Sequence, residues 1–296
     1  MLLLGAAVAA ATLAGCGGRS STGRAAATKA HPAQAEVSVT HPLRVVATVF
    51  PLAQLVSYVG GPDVKVTNLV PPGTQPQDLA LSAKQRAEIA SAQLVVEVGG
   101  GYQPEVEAAA AHRRHLALLP ALSNKARPYE LWLDPYMWSS AAGAVSKALS
   151  AASPSGKRQF ENGARDFESL ATSVASDYNS SLSTCPLRDF VTPDDAFGRM
   201  ASAFSLVEIP LDTTGEKATL ATIAQYSIPG VFSEQGIPSS ALTQVASTYH
   251  LKVKSLDPME LTPAPGTKFQ TYFAVMEANL QALEGPLECS TSSSYF

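Results

Sequence analysis

Residues 43–73 read LRVVATVFPLAQLVSYVGGPDVKVTNLVPPG, and this stretch decides the architecture. Leu43 to Phe50 is an almost unbroken apolar, β-branched run, the pattern of a buried strand. The following LAQLVSYVG spaces its apolar residues as a helix does and is closed by glycine. Val64 to Val70 alternates and ends at Pro71-Pro72-Gly73. Strand, helix and strand in this order predict a parallel sheet with helices on its faces.

The pattern continues outward from there. SAKQRAEIASA is helical, with Ser82 placed as N-cap. Leu94 to Val98 (LVVEV) is a third strand, stopped by Gly99-Gly100-Gly101. A different texture begins near Pro154. Phe160, Phe167, Leu170, Val174, Tyr178 and Leu182 recur at intervals of seven, three and four, which puts one apolar stripe on a single long helix. Alternation then resumes: Asp189 to Thr192, Gly230 to Glu234 and Leu251 to Leu256 read as strands, and Tyr272 to Leu283 as a closing helix. The expected class is α/β: two lobes with parallel sheets joined by one long connecting α-helix. The expected divisions are 42–153 for the N-terminal lobe, 154–183 for the connecting helix and 184–296 for the C-terminal lobe.

The first residues, MLLLGAAVAAATLAGCGGRSS, are of another kind. Leu2 to Leu13 is uncharged and apolar, the length of a signal segment and too short to span a bilayer. It ends in Leu13-Ala14-Gly15-Cys16, which resembles a bacterial lipobox; residues 1–15 are then a lipoprotein signal peptide and Cys16 the acylated first residue. The alternative is a buried N-terminal helix. Residues 16–41 are rich in Ala, Gly, Ser, Thr and Pro with no apolar period, as a flexible tether is. The expected location is therefore outside the cytoplasm, anchored to a membrane by lipid.

The whole chain has 296 residues, with 21 Lys and Arg against 25 Asp and Glu, a net charge of −4. The signs are interspersed, and nothing in them suggests a nucleic-acid surface. Of three cysteines, Cys185 and Cys289 remain once Cys16 carries lipid, an even pair suited to a disulfide in an oxidising compartment. Two unpaired buried thiols are the alternative.

The ordered motifs VVATVFPLAQLVSYVGGPDVKVTNLVPPG, SAQLVVEVGGGY, WLDP (Trp132–Pro135), FVTPDDAFG (Phe190–Gly198), SLDPMELTP (Ser255–Pro263) and MEANLQAL together resemble one known family. It is that of the substrate-binding lipoproteins of zinc and manganese ABC importers, with the TroA-like fold. The resemblance runs from about Val45 to Cys289. It implies two lobes bracketing one metal ion, ligands from four loops, delivery to a membrane permease, and a monomer. A subgroup of the family places a disulfide where Cys185 and Cys289 fall.

Carried over by position, the ligand set departs from the family's usual histidines. The first ligand is Gln77, between Pro76 and Asp78, with Asp78 a possible substitute. The second is Glu130, the third Asp194, and the fourth Asp257. The chain's histidines (His31, His41, His112, His115 and His250) lie elsewhere. One amide and three carboxylates make a hard, oxygen-only site, suited to manganese ahead of zinc. Facing one cavity, the carboxylates would repel one another, and at least one pKa should rise in the empty site. Each residue also has a simpler reading. Gln77 reads equally as a solvated loop residue and Glu130 as a surface acid. Asp194 or Asp195 reads as an N-cap, and Asp257 as a turn former. The alternative for the whole protein is a family member that has lost metal binding and serves as an interaction or other-solute lipoprotein. His112-Arg113-Arg114-His115 reads as a basic surface patch. Gly99–Gly101 lacks the Gly-x-Gly-x-x-Gly spacing of a dinucleotide loop, and no nucleophile motif is present, so no enzyme is expected.

Overall fold

The computed structural model describes residues 41–122, 130–211, 230–264, 266 and 271–290. Cys16, the signal segment and the tether lie outside the described residues.

The first lobe is a parallel sheet of four strands, β1 (Leu43–Ala47), β2 (Val64–Asn68), β3 (Leu94–Glu97) and β4 (His115–Ala117), in the order β2-β1-β3-β4. Helix α1 (Phe50–Gly60) follows β1, with Pro51 in its first turn, and ends where Gly61 takes a φ of 55°. Helix α2 (Ala83–Ser91) begins in a capping box: the Ser82 hydroxyl accepts from the Gln85 N–H, and the Gln85 side chain accepts from the Ser82 N–H. Helices α3 (Pro104–Ala110) and α4 (Leu118–Ala121) complete the strand-to-helix connections.

The second lobe repeats the design. Strands β5 (Asp189–Thr192), β6 (Val207–Pro210), β7 (Gly230–Glu234) and β8 (Val253–Leu256) form a parallel sheet in the order β6-β5-β7-β8. In both sheets the chain therefore reverses its direction of winding beside the first strand, a topology that opens a crevice at the strands' carboxyl ends. Helices α7 (Gly198–Ala203), α8 (Ser240–Tyr249) and α9 (Tyr272–Glu284) belong to this lobe.

Between the sheets run α5 (Pro135–Ala152) and α6 (Lys157–Leu182). The Asp134 carboxylate accepts from the Tyr136 and Met137 N–H groups and caps α5, with Pro135 in its first turn. Helix α6 is the long connector the apolar stripe predicts, 26 residues preceded by a separate 3-10 turn, Pro154–Gly156. Its buried face is shifted from the expected one: Phe160, Phe167, Tyr178 and Leu182 are buried, but Leu170 is exposed and its place is taken by Ala164, Ala171 and Ala175. Small residues win there because the neighbouring helices approach closely. A Cβ on Gly163 would stand 2.4 Å from the Val59 carbonyl oxygen of α1.

The largest core cluster is continuous from Leu43 of β1, through α1, α5 and α6, to Phe190, Phe232 and α9. Two smaller clusters cover the outer faces of the two sheets. The lobes therefore share one apolar interior, and one face of the connector is buried along its length. Cys185, just past α6, is disulfide-bonded to Cys289, just past α9, across 104 residues. Strands β4 and β6 are too short and too polar to stand out in the sequence, and His115, read as part of a surface patch, is the first residue of β4. No helix among the described residues is long and apolar enough to cross a membrane.

Candidate functional site

The loops at the carboxyl ends of both sheets converge, and each brings a polar side chain. After β2, the 3-10 turn Pro76–Asp78 is held from below by Gln103, whose Nε2 donates to the Pro76 carbonyl at 3.0 Å. Gln77 and Asp78 are exposed on this turn. Gln77 reaches across to the other lobe, where its Nε2 donates to Glu260 Oε1 at 2.9 Å. Glu130 precedes the 3-10 turn Leu131–Leu133 and is 5% exposed. Two residues on, Trp132 Nε1 donates to the Pro258 carbonyl at 2.7 Å, which draws the two acidic segments together.

The second lobe supplies the rest. Beyond β5, Asp194 Oδ1 accepts from the Ala196 N–H at 3.0 Å in a tight turn that includes Asp195. The turn rests on Glu208 of β6: Glu208 Oε1 lies 2.8 Å from the Thr192 hydroxyl and accepts from the Phe197 N–H at 3.1 Å. Glu234 ends β7 and is 3% exposed, with neither carboxyl oxygen hydrogen-bonded. Beyond β8, Asp257 Oδ1 accepts from the Met259 N–H at 2.7 Å, and Asn279 clasps the Asp257 backbone through both its side-chain atoms.

The electrostatics tie Glu130, Glu260, Asp194, Asp195, Glu208 and Glu234 to one another. Glu130 and Glu260 interact directly. Burial and the Glu260 charge push the Glu130 carboxyl up to about 9. Burial also raises Glu260, against hydrogen bonds from Gln77 and Glu130 that favour its charged form. Both carboxyls are thus pushed up, each by burial first. Burial, then the neighbouring Asp194 carboxylate, push Glu234 up to about 9 as well. Glu208 is raised to about 8 by burial, partly offset by its Thr192 and Phe197 partners. The buried Tyr102 hydroxyl, raised by burial and by the charges of Glu260 and Glu130, closes one wall. Asp257 stands apart: burial raises its pKa and the Met259 N–H lowers it, with no other carboxylate involved. Among the described residues, Arg199 of α7, half-buried, is a cation in electrostatic reach of both Glu130 and Asp134.

Of the four residues expected as ligands, the structure thus links Gln77 and Glu130 through Glu260, and sets Asp194 beside Glu234. Asp257 occupies its expected loop with its carboxylate turned onto its own backbone turn. The Asp78 side chain makes no hydrogen bond or ion pair among the described residues and is exposed. Glu234 and Glu260 were missed, although both lie inside motifs visible in the sequence, GVFSE and SLDPMELTP. Among the described residues no three His, Cys, Asp or Glu side chains are arranged to hold a metal ion. Glu130, Glu260, Asp194, Asp195, Glu208 and Glu234 instead form one connected set, in which the charges of Glu260, Asp194, Asp195 and Glu208 raise the glutamates beside them.

The family described as "ZnuA: Zinc-uptake complex component A periplasmic" matches residues 45–285. The zinc-binding protein AdcA of Streptococcus pyogenes serotype M3 is 25% identical over 284 residues, covering 81% of this chain and 55% of that protein. A putative metal-binding protein of Treponema pallidum is 26% identical over 262 residues, covering 76% of this chain and 82% of that protein. The periplasmic zinc-binding protein TroA of Treponema pallidum superposes with a TM-score of 0.74 at 21% identity, over 83% of this chain and 99% of that one. The chain spans about half the length of the AdcA proteins it matches.

Proposed function

The chain belongs to the ZnuA family of periplasmic zinc-uptake components, and on that footing we propose that it is the lipid-anchored, extracytoplasmic receptor of an ABC importer for a divalent metal ion. It is a receptor and not an enzyme. Its partner is a membrane permease, and its anchor is Cys16. The ion is zinc, which the names of its relatives carry, or manganese, which an oxygen-only site favours. The donors are Glu130, Asp194 and Asp257 with the amide of Gln77, and Glu260 and Glu234 complete the acidic wall. Asp257 must release the Met259 N–H to take part, and Asp78 is the substitute for Gln77.

The observation that carries this reading is the convergence of buried carboxylates from both lobes at the carboxyl ends of two parallel sheets. Burial without a counter-charge costs several kcal/mol per charge, and a protein keeps such a cluster where a cation can relieve it. The test is thermal unfolding of the chelator-stripped protein with zinc, manganese, magnesium, calcium and iron(II) added separately. An ion at 100 times its Kd stabilises by about 2.7 kcal/mol, a shift of a few degrees. The reading expects such a shift with zinc or manganese, lost in Asp194→Ala and in Asp257→Ala.

A second reading is favoured by the finding that no three His, Cys, Asp or Glu side chains among the described residues are arranged to hold a metal ion. On that reading the acids stay protonated, the site has left metal chemistry and the protein serves as an interaction lipoprotein on the same fold. No shift with any ion would select it.

A further inference from the structure

The segment Pro258–Thr262 leaves the second lobe after Asp257 and is bonded to the first lobe at every other residue. The Pro258 carbonyl accepts from Trp132 Nε1 at 2.7 Å, and Glu260 Oε1 accepts from Gln77 Nε2 at 2.9 Å. Thr262 makes the third attachment. Its hydroxyl accepts from Asn68 Nδ2 at 2.8 Å and donates to the Val70 carbonyl at 2.8 Å, and its backbone forms a lone parallel bridge to Pro72. Asp257, immediately before the segment, is held on the second lobe, where Asn279 of α9 clasps its backbone at 2.8 and 2.9 Å. The chain thus passes from one lobe's grip to the other's between Asp257 and Pro258. Glu260 follows the second sheet in sequence, yet it is carried by the first lobe.

We infer that Thr262 is a positioning residue of the receptor site: its hydroxyl ties the segment that carries Glu260 to the strand end from which the Gln77 loop departs. The inference rests on the receptor reading above. Asn68 is the last residue of β2, and the chain runs on from it through Val70 to the Pro76–Asp78 turn. Glu260 is therefore anchored two residues away on either side, by Trp132 through Pro258 and by Asn68 and Val70 through Thr262. Between the first anchor and Glu260, Met259 stands at a φ of 56°, a backbone conformation that a non-glycine residue keeps only where its surroundings hold it. With both anchors in place the Glu260 carboxyl meets Gln77 in one arrangement. With the Thr262 anchor gone the segment can pivot about Pro258. Thr262 needs no contact with the ion to act, because metal affinity depends on the groups that orient the donors as well as on the donors. The Val70 carbonyl keeps a second donor in Asn68 Nδ2 at 3.2 Å, so loss of the hydroxyl leaves no buried acceptor stranded, and the fold should survive it.

The experiment measures zinc and manganese affinity of the full chain by competition with a fluorescent chelator, well below the unfolding transition, for the parent, Thr262→Val, Thr262→Ala and Thr262→Ser. The valine variant keeps the shape and loses the hydroxyl, and the serine variant keeps the hydroxyl and loses the methyl group. The alanine variant loses both and covers the case where valine is poorly accommodated beside the Val70 carbonyl. The expected result is binding weaker by about 10–100-fold in the valine and alanine variants, with the serine variant close to the parent. A packing role would weaken the serine variant as much as the alanine one, so recovery with serine marks positioning through the hydroxyl. Unchanged binding in the valine and alanine variants, or equal loss in all three, with the parent binding normally, overturns this inference alone. No binding of either ion by the parent overturns the receptor reading and this inference with it.

Discussion

Trp132 Nε1 donates to the Pro258 carbonyl at 2.7 Å, a bond between residues 126 apart in sequence that joins the two lobes at the floor of the acidic cluster. Glu130 stands two residues before the tryptophan and Glu260 two residues after the proline. The bond therefore sets how close the two carboxyls come. Trp132 is fully buried and packs edge-on against Tyr102 and Trp138. Trp132→Phe keeps most of that packing and leaves the Pro258 carbonyl without its donor. An unsatisfied buried acceptor costs about 1–3 kcal/mol, and urea unfolding should show that loss. Metal affinity should fall with it, because Glu130 and Glu260 are no longer held in register.

The raised carboxyls make a pH prediction with a definite sign. Glu130 and Glu234 titrate near 9 in the folded protein and Glu208 near 8, against an ordinary glutamate value of 4.5. Between these limits the folded state binds more protons than the unfolded one, so stability falls as pH rises. The metal-free protein should be most stable at or below about pH 5 and lose thermal stability steadily toward pH 9. A midpoint that climbs from pH 5 to pH 8 would contradict the assignment. Bound metal should flatten the dependence, since the ion replaces the protons.

Gly163 is the point where α1 and α6 touch. A methyl group there would meet the Val59 carbonyl oxygen at 2.4 Å, and neither helix backbone can yield without disturbing the shared core. Gly163→Ala gains helix propensity, but overpacking of this kind costs about 1–3 kcal/mol and should win. Differential scanning calorimetry would show a lower midpoint. A more stable variant would mean that the helices separate easily.

The Cys185–Cys289 disulfide closes a loop of 104 residues around the second lobe. In the chain-entropy account such a loop contributes about 4–5 kcal/mol by restricting the unfolded state. The Cys185→Ser, Cys289→Ser double variant should unfold at markedly lower denaturant, and its site geometry should persist because neither cysteine touches the acidic cluster. Metal affinity measured well below the unfolding transition should match the parent.

Much of the architecture was legible because its signals are local. The run Leu43–Ala47, the Ser82 capping box and the long apolar period from Phe160 to Leu182 each report on their own segment. What the period could not show was which stripe of α6 faces inward, since that depends on how near α1 and α5 come. That closeness is why alanines displace Leu170. The site was legible as a set of loops, and less so as a set of atoms. Gln77 and Glu130 stand where the motifs put them. Their common partner Glu260 was hidden because its role comes from the lobe-to-lobe bond at Pro258, which no spacing within one segment encodes. Asp257 shows the converse: its loop position was predictable, but the Met259 N–H that holds its carboxylate follows from a backbone turn with Met259 at a φ of 56°.

The central claim is that buried carboxylates from both lobes exchange protons for a divalent cation. The most direct test is calorimetric titration of zinc and of manganese into the chelator-stripped protein at pH 7, repeated in buffers of different ionisation enthalpy. The account predicts binding of one ion with release of about one to two protons, falling by about one in Glu130→Gln. Binding that releases no protons, or the absence of binding by either ion, would contradict it.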